Sequence, residues 1–371
     1  MNTQFEQTAR QSGQQGQPSG TEPQRFAPRM GKTLVDTHFT NLYISATSVI
    51  SPPEGWFKGF DTNPKLMVRV PPEFTEEIRQ LHGLLMSIDC DHDFAARFQE
   101  TSFRVHPVKA SNDLKWFVLR RVPSEIPRLT DPAWRFPPIL VEKIMEVTRS
   151  PGLILFTGPP DAGKTVSAVA TYVTALEKFG GSGFAVEDPV EFDLNGAFGD
   201  YGHSIQIDVS GVEGGYSEAL KGGFRMSSQR AHVSEIRSAD VASEVMKFAC
   251  GAMLVDSTMH GSSGIGCVQR IISMLSSRDG EITARQLTAD AISAVIYQEM
   301  HPIGNGLSAP QFKPFFIRAC SDLITKDEEL TIRNLIRNGN LSSLENNLRA
   351  QEAKLQNLRA SRSKPTQIAQ R

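Results

Sequence analysis

The chain has 371 residues, enough for two domains with hydrophobic cores that need neither disulfides nor metal to hold them. Hydrophobic residues make up 39% and charged residues 22%, the balance of an ordinary globular protein, and the formal net charge is −2. That charge gives no support to a global electrostatic grip on nucleic acid, which calls for a basic excess, and leaves room only for a local basic patch.

The opening stretch MNTQFEQTARQSGQQGQPSG lacks the apolar run of a signal peptide. Residues 1–30 are rich in Gln, Gly, Ser and Pro, which predicts a disordered tail. No later stretch approaches the roughly 18 apolar residues of a membrane span, so membrane association is expected only through partners. KLMVRV (65–70) and LKWFVLRRV (114–122) alternate as strands do, and EEIRQLHGLLMSI (76–88) reads as an amphipathic helix. Together they predict a small α/β domain over 34–125, followed by a proline-rich linker at 126–138.

A second domain is expected over 139–335. It opens with a helix at ILVEKIMEVTRS and continues into GLILFTG, a short apolar run typical of a central parallel strand. A glycine-rich loop, the helix TVSAVATYVTALEKFG and the strand FAVEDPVEF complete a βαβ unit. HVSEIRS (232–238), after a Met/Ser-rich helix, and LVDSTMHGSS (254–263) read as two more strands. Residues 336–371 read as a polar, solvated helix that fades into a disordered end. Cys90, Cys250, Cys267 and Cys320 are scattered without zinc-like spacing and read as reduced core thiols of a cytosolic protein.

The loop is Gly158, Pro159, Pro160, Asp161, Ala162, Gly163, Lys164 and Thr165, leading into Val166, and it satisfies GxxxxGK[ST]. Glycines let the backbone turn tightly and aim successive N–H groups at phosphate oxygens, and the helix start adds its positive dipole end. Lys164 is expected to reach the β- and γ-phosphates of ATP, and the Thr165 hydroxyl to ligate Mg²⁺. Glu187 and Asp188 end the next strand, at the edge that faces ligand in a parallel sheet. They read either as carboxylates that hold a metal-bound or attacking water, or as a surface turn. Glu235 is the candidate to orient water. His260 reads as a γ-phosphate sensor or as a structural histidine.

Taken together these pieces resemble the type II/type IV secretion ATPases, the traffic ATPase family of pilus and secretion motors. The Walker A loop GPPDAGKT, the Asp box VEDPVEF, the Walker B region VSEIR and the His box STMHG follow the family's order, and SFRV…LRRVPSEIPRL resembles the stretch before the family's linker. Among the branches, the chain is most similar to the DotB-like ATPases of type IVB secretion and their conjugative-plasmid counterparts. The resemblance implies a RecA-like P-loop ATPase domain behind the N-terminal α/β domain. It makes Glu187, Asp188 and Glu191 Asp-box residues, Glu235 the Walker B carboxylate and His260 the His-box residue. It places Arg120, Arg121 and Arg225 among residues that reach nucleotide. It further implies a homohexamer that hydrolyses ATP with Mg²⁺, is cytoplasmic, and is recruited by secretion-complex proteins to the inner-membrane face. No direct nucleic-acid contact and no zinc are expected. A pilus-retraction motor is the near alternative; a nucleotide-dependent assembly platform and a nucleic-acid motor are alternatives of another class. The chain departs from the family in QRAHVSEIR, where Arg230 and His232 interrupt the strand and Ser234 replaces glycine. Ser238 stands where the family has aspartate, and IQID (205–208) lacks an arginine.

Overall fold

The computed structural model describes residues 32–362 except 38, 40, 46–52, 61–62, 89–90, 112–113, 123–124, 210–211 and 305–306. The expected tail at 1–30, the last residues from 363 on, and Cys90 lie outside the described residues.

The first unit holds β1 (Asn41–Ser45), β2 (Glu54–Phe60), β3 (Asn63–Arg69), α1 (Thr75–Ser87), β4 (Phe94–Phe98), β5 (Thr101–Lys109) and β6 (Lys115–Arg121). Its six strands form an antiparallel sheet in the order β3-β2-β1-β6-β5-β4. Period-two burial in β4 and β5 marks one face as the core, where α1 contributes Ile78, Leu81 and Leu85 beside Phe57, Phe103 and Phe117.

The second unit begins with α2 (Pro138–Val147) and β7 (Gly152–Gly158), then α3 (Lys164–Phe179), β8 (Gly181–Glu187), β9 (Gly196–Phe198) and β10 (Gly202–Asp208). It continues through α4 (Gly215–Phe224), β11 (Arg230–Val233), α5 (Ala239–Gly251), β12 (Leu254–His260), α6 (Gly264–Asp279) and α7 (Glu281–Ala291). It closes with β13 (Ile292–Gly304), β14 (Leu307–Phe316), α8 (Lys326–Arg337) and α9 (Leu344–Arg362). The sheet order is β14-β13-β7-β12-β11-β8-β10-β9, with antiparallel strands only at the two edges. Every residue of β7 is buried, as expected of a strand covered on both faces. Parallel strands put the ends of β7, β11 and β12 on one edge, the usual place for a ligand crevice.

The linker is strapped down rather than loose. Leu129 is buried, its N–H donates to Thr174 Oγ1 at 3.0 Å, and Arg128 pairs with Glu177 at 2.7 Å, both partners lying on α3. Among the described residues, Arg104 pairs with Glu191 at 3.1 Å and Arg120 with Asp161 at 3.4 Å, joining the two units.

Some expectations require correction. The Met/Ser-rich segment is a turn, because α4 already ends at Phe224 and Ser227 takes φ 54°. The C-terminal helix is not simply solvated. Leu344, Gln351 and Leu355 of α9 are buried, and the Gln351 amide both donates to and accepts from the Phe316 backbone at 2.8 Å. Cys267 and Cys320 are buried, whereas Cys250 is exposed.

The residues that interrupt the Walker B strand form a polar seam. All four residues of β11 are buried, Arg230 donates to the Thr148 carbonyl at 3.1 Å, and its guanidinium stacks 5.5 Å from the Phe179 ring. His232 Nε2 lies 3.3 Å from Glu187 Oε1, and its ring is 5.9 Å from that of Tyr172 on α3. Asp256, the register partner of His232 on β12, is fully buried. Burial pushes its carboxyl up to about 8, against the opposing pull of the Arg230 charge.

Candidate functional site

The site forms where β7 runs into α3. Gly158 has φ 155°, and a Cβ there would lie 2.0 Å from the Gln298 carbonyl oxygen, so only glycine fits this close approach. Asp161 at φ 59° and Gly163 at φ 79° are left-handed, the conformations that curl the loop before α3 begins. Gln298 on β13, absent from the sequence reading, donates its amide to the Ala162 carbonyl at 2.6 Å. It lies 136 residues along the chain from that carbonyl, and no local pattern points to it.

Lys164 is 8% exposed. Its ammonium donates to the Pro159 carbonyl at 2.8 Å and lies 3.3 Å from His260 Nδ1. Burial lowers its pKa, against the opposing charges of Glu235 and Asp161. No carboxylate pairs with it directly among the described residues. A buried cation beside a curled, glycine-rich loop fits a polyanion such as a nucleotide phosphate chain, and Thr165 follows where a metal-holding hydroxyl would sit.

His260 bridges to the acid. Its Nε2 lies 3.6 Å from Glu235 Oε1, while Glu235 Oε2 accepts from Arg237 Nε at 2.8 Å. Two neighbours fix His260 at the end of β12: Arg270 of α6 donates to its carbonyl at 2.9 Å, and Gly261 packs where a Cβ would be 2.1 Å from Cys267 Sγ. The turn that carries Glu235 is also braced. The Ser234 N–H donates to the Val186 carbonyl at 3.0 Å, Thr258 Oγ1 donates to the Ser234 carbonyl at 2.6 Å, and the Ser234 and Tyr216 hydroxyls bond to each other. Serine in place of glycine is thus used as an anchor. Ser238 caps α5 by accepting from the Val241 N–H at 3.3 Å.

Lys164, His260 and Glu235 are therefore brought together with the phosphate loop, and Arg120 reaches the loop through Asp161. Other residues singled out in the sequence lie elsewhere. Glu187 is fully buried; its Oε2 accepts from the Glu191 N–H at 3.0 Å and from Gln206 Nε2 at 2.8 Å, which holds the Asp-box turn. Asp188 precedes a cis proline in that turn. Arg121 turns back into the first unit, donating to the Thr37 carbonyl at 3.0 Å with its guanidinium 4.6 Å from the Phe39 ring. Arg225 ends α4 and lines a depression with Lys221, Phe224 and Lys247, away from the loop.

The fold and the site define a two-domain α/β protein: an N-terminal domain and a RecA-like P-loop ATPase domain. The family model described as "Type II/IV secretion system protein" matches residues 91–304, more than half of the chain. The chain belongs to that family, the type II/IV secretion ATPases. A relative in Pseudomonas aeruginosa, "Type II secretion system protein E", is 31% identical over 134 residues, 36% of this chain and 25% of the relative. The "Type IV pilus assembly ATPase PilB" of the same organism is 33% identical over 124 residues, 33% of this chain and 20% of the relative. The chain thus spans a quarter or less of the length of these relatives. Among solved structures, the "Pilus Retraction Motor PilT and Bound ADP" is similar at a TM-score of 0.63 and 19% identity, covering 84% of this chain and 86% of that one. The Legionella pneumophila ATPase DotB matches at 0.63 and 15% identity, with 84% of each chain covered. At these identities the likeness is one of fold. Among the described residues, no helix is long and apolar enough to cross a membrane.

Proposed function

We propose that this protein is an ATP-hydrolysing motor of a type IV secretion apparatus of the type IVB or conjugative kind, working as a homohexamer with Mg-ATP on the cytoplasmic side. The observation that carries the reading is the contact line Lys164–His260–Glu235, with steps of 3.3 and 3.6 Å, placed against the phosphate loop.

The loop N–H groups of 161–165 bind the phosphate chain and Lys164 places its charge beside the β- and γ-phosphates. Thr165 would hold Mg²⁺, which when bound would neutralise negative charge on the phosphate chain. Glu235 orients the attacking water, and Arg237 holds its carboxylate in place through the 2.8 Å contact. His260 touches both the phosphate-binding lysine and the water-orienting acid, so loss of the γ-phosphate is felt at both. Glu187 acts from outside the site by holding the Glu191 turn, whose Glu191 carboxylate pairs with Arg104 of the N-terminal domain. Arg120 ties the N-terminal domain to the loop, and Arg104 ties the same domain to Glu191, so nucleotide turnover is coupled to the placement of that domain. Arg225 and Arg121 act outside this chain's own phosphate site. Secretion-complex proteins at the inner-membrane face are the partners expected to read the domain movement.

The test is a pair of measurements on Glu235→Gln. The variant is expected to bind Mg-ATP with near-wild-type affinity and to release phosphate at least about 100-fold more slowly, since it retains binding and loses the water-orienting base. Mass in solution with Mg-ATP should correspond to six chains. Unchanged phosphate release would remove Glu235 from the mechanism, and a monomer under all nucleotide conditions would remove the ring.

A further inference from the structure

Gln298 is 1% exposed and lies beside β7, one residue beyond the last register pair, Tyr297 with Thr157. Its main chain and its side chain meet opposite ends of the phosphate loop. The carbonyl oxygen occupies the space a Cβ at Gly158 would need, and Nε2 donates to the Ala162 carbonyl at 2.6 Å. Nε2 also lies 3.4 Å from where a Cβ at Gly163 would sit. The other amide atom, Oε1, is buried without a hydrogen-bond partner among the described residues. A buried amide that satisfies one half of itself and leaves the other half bare is poorly explained as core filling, because an apolar side chain of the same length would avoid that cost.

We propose that Gln298 is a positioning residue for the phosphate loop, holding the Ala162–Gly163 peptide unit so that its N–H faces the phosphates; this rests on the nucleotide-site reading above. A trans peptide is planar, and its C=O and N–H point in opposite directions. Fixing the Ala162 carbonyl on Gln298 therefore turns the Gly163 N–H to the other side of the unit, into the concave face of the loop. Without the Gln298 donor this unit can rotate, because Gly163 tolerates many backbone angles. A rotated unit would present a carbonyl oxygen where an anion is to bind and would reverse one dipole of the cradle. The cradle meets the phosphates that ADP and ATP share, so the effect falls on binding of both nucleotides and leaves the chemical step largely intact.

The experiment measures binding of ADP with Mg²⁺, and KM and kcat for ATP, on the full chain as wild type, Gln298→Met and Gln298→Asn. Met keeps the length without a donor; Asn keeps the amide one methylene short of the Ala162 carbonyl. Each folded variant is expected to bind ADP about tenfold more weakly and to show a similar rise in KM, with kcat within about twofold of wild type. A merely structural role would lower kcat through a smaller folded fraction and leave KM unchanged, and that result would overturn the proposal. Should the Met variant not fold, the Asn variant decides, and wild-type ADP affinity in it overturns the proposal equally. Failure of the wild type itself to bind ADP would overturn the nucleotide-site reading, and this inference with it.

Discussion

Asp256→Asn isolates a single proton in the polar seam. Asp256 is fully buried, and its carboxyl is pushed from 3.8 up to about 8 by burial, with the Arg230 charge acting in the opposite direction. A raised folded-state pKa means the folded protein binds the proton more tightly than the unfolded chain. The resulting stabilisation is complete below about pH 4, declines as pH rises, and is gone above about pH 8. The span between the two pKa values, converted at 2.303RT per unit, sets a ceiling on the order of 5 kcal/mol, and relaxation around the charge lowers what is realised. Asparagine has the same shape and never ionises. Its stability relative to wild type should therefore climb between pH 5 and pH 8 by up to roughly 1 kcal/mol per pH unit. Urea unfolding of both proteins at pH 5, 6, 7 and 8 at constant ionic strength measures this. Parallel stability profiles would refute the reasoning, because they would mean that the Arg230 charge keeps Asp256 ionised in the folded protein as it is in the unfolded chain.

Two further outcomes are expected. A Cβ at Gly261 would lie 2.1 Å from Cys267 Sγ and 2.8 Å from Thr157 Oγ1, so Gly261→Ala should cost about 1–3 kcal/mol in urea unfolding, and adding Cys267→Ala should recover much of it; a double variant no more stable than the single one would place the strain elsewhere. The neighbouring arginines should separate by assay: Arg121→Ala should lose about 1–2 kcal/mol of stability with its Thr37 and Phe39 contacts, whereas Arg120→Ala, whose ion pair with Asp161 is exposed, should change stability by less than about 0.5 kcal/mol and weaken nucleotide binding. Equal effects of the two in both assays would contradict the placement.

Local chemistry made part of this site readable from the chain. GPPDAGKT announces itself because strand, glycine turn and helix start are contiguous, and β7 and α3 occupy the expected stretches. The strand that ends in His260 was also visible, whereas the strand expected over 232–238 stops at Val233 and leaves Glu235 on the turn beyond it; that the two side chains meet shows only in the folded chain. What stayed hidden is non-local. Gln298 is one of several polar residues of β13, and nothing marks it out until β13 is set beside β7. Arg230 and His232 read as interruptions because the groups beside them, the Thr148 carbonyl that Arg230 bonds and the Glu187 carboxylate 3.3 Å from His232, lie on other elements. Glu187 itself looked like an edge carboxylate, yet it is fully buried and accepts from Gln206 of β10 and from the Glu191 N–H. Gln351 looked like part of a solvated helix, yet its amide closes the Phe316 backbone.

The most direct test of the account is phosphate release from Mg-ATP by the purified protein beside its Lys164→Ala variant. Among the described residues the Lys164 ammonium bonds the Pro159 carbonyl and His260 Nδ1 and pairs with no carboxylate, so alanine removes the buried charge without leaving a directly paired carboxylate bare. The account predicts turnover by the wild type and its loss in a variant that melts at the same temperature. Equal turnover in both proteins would contradict it, because the phosphate loop would then not be where ATP is hydrolysed.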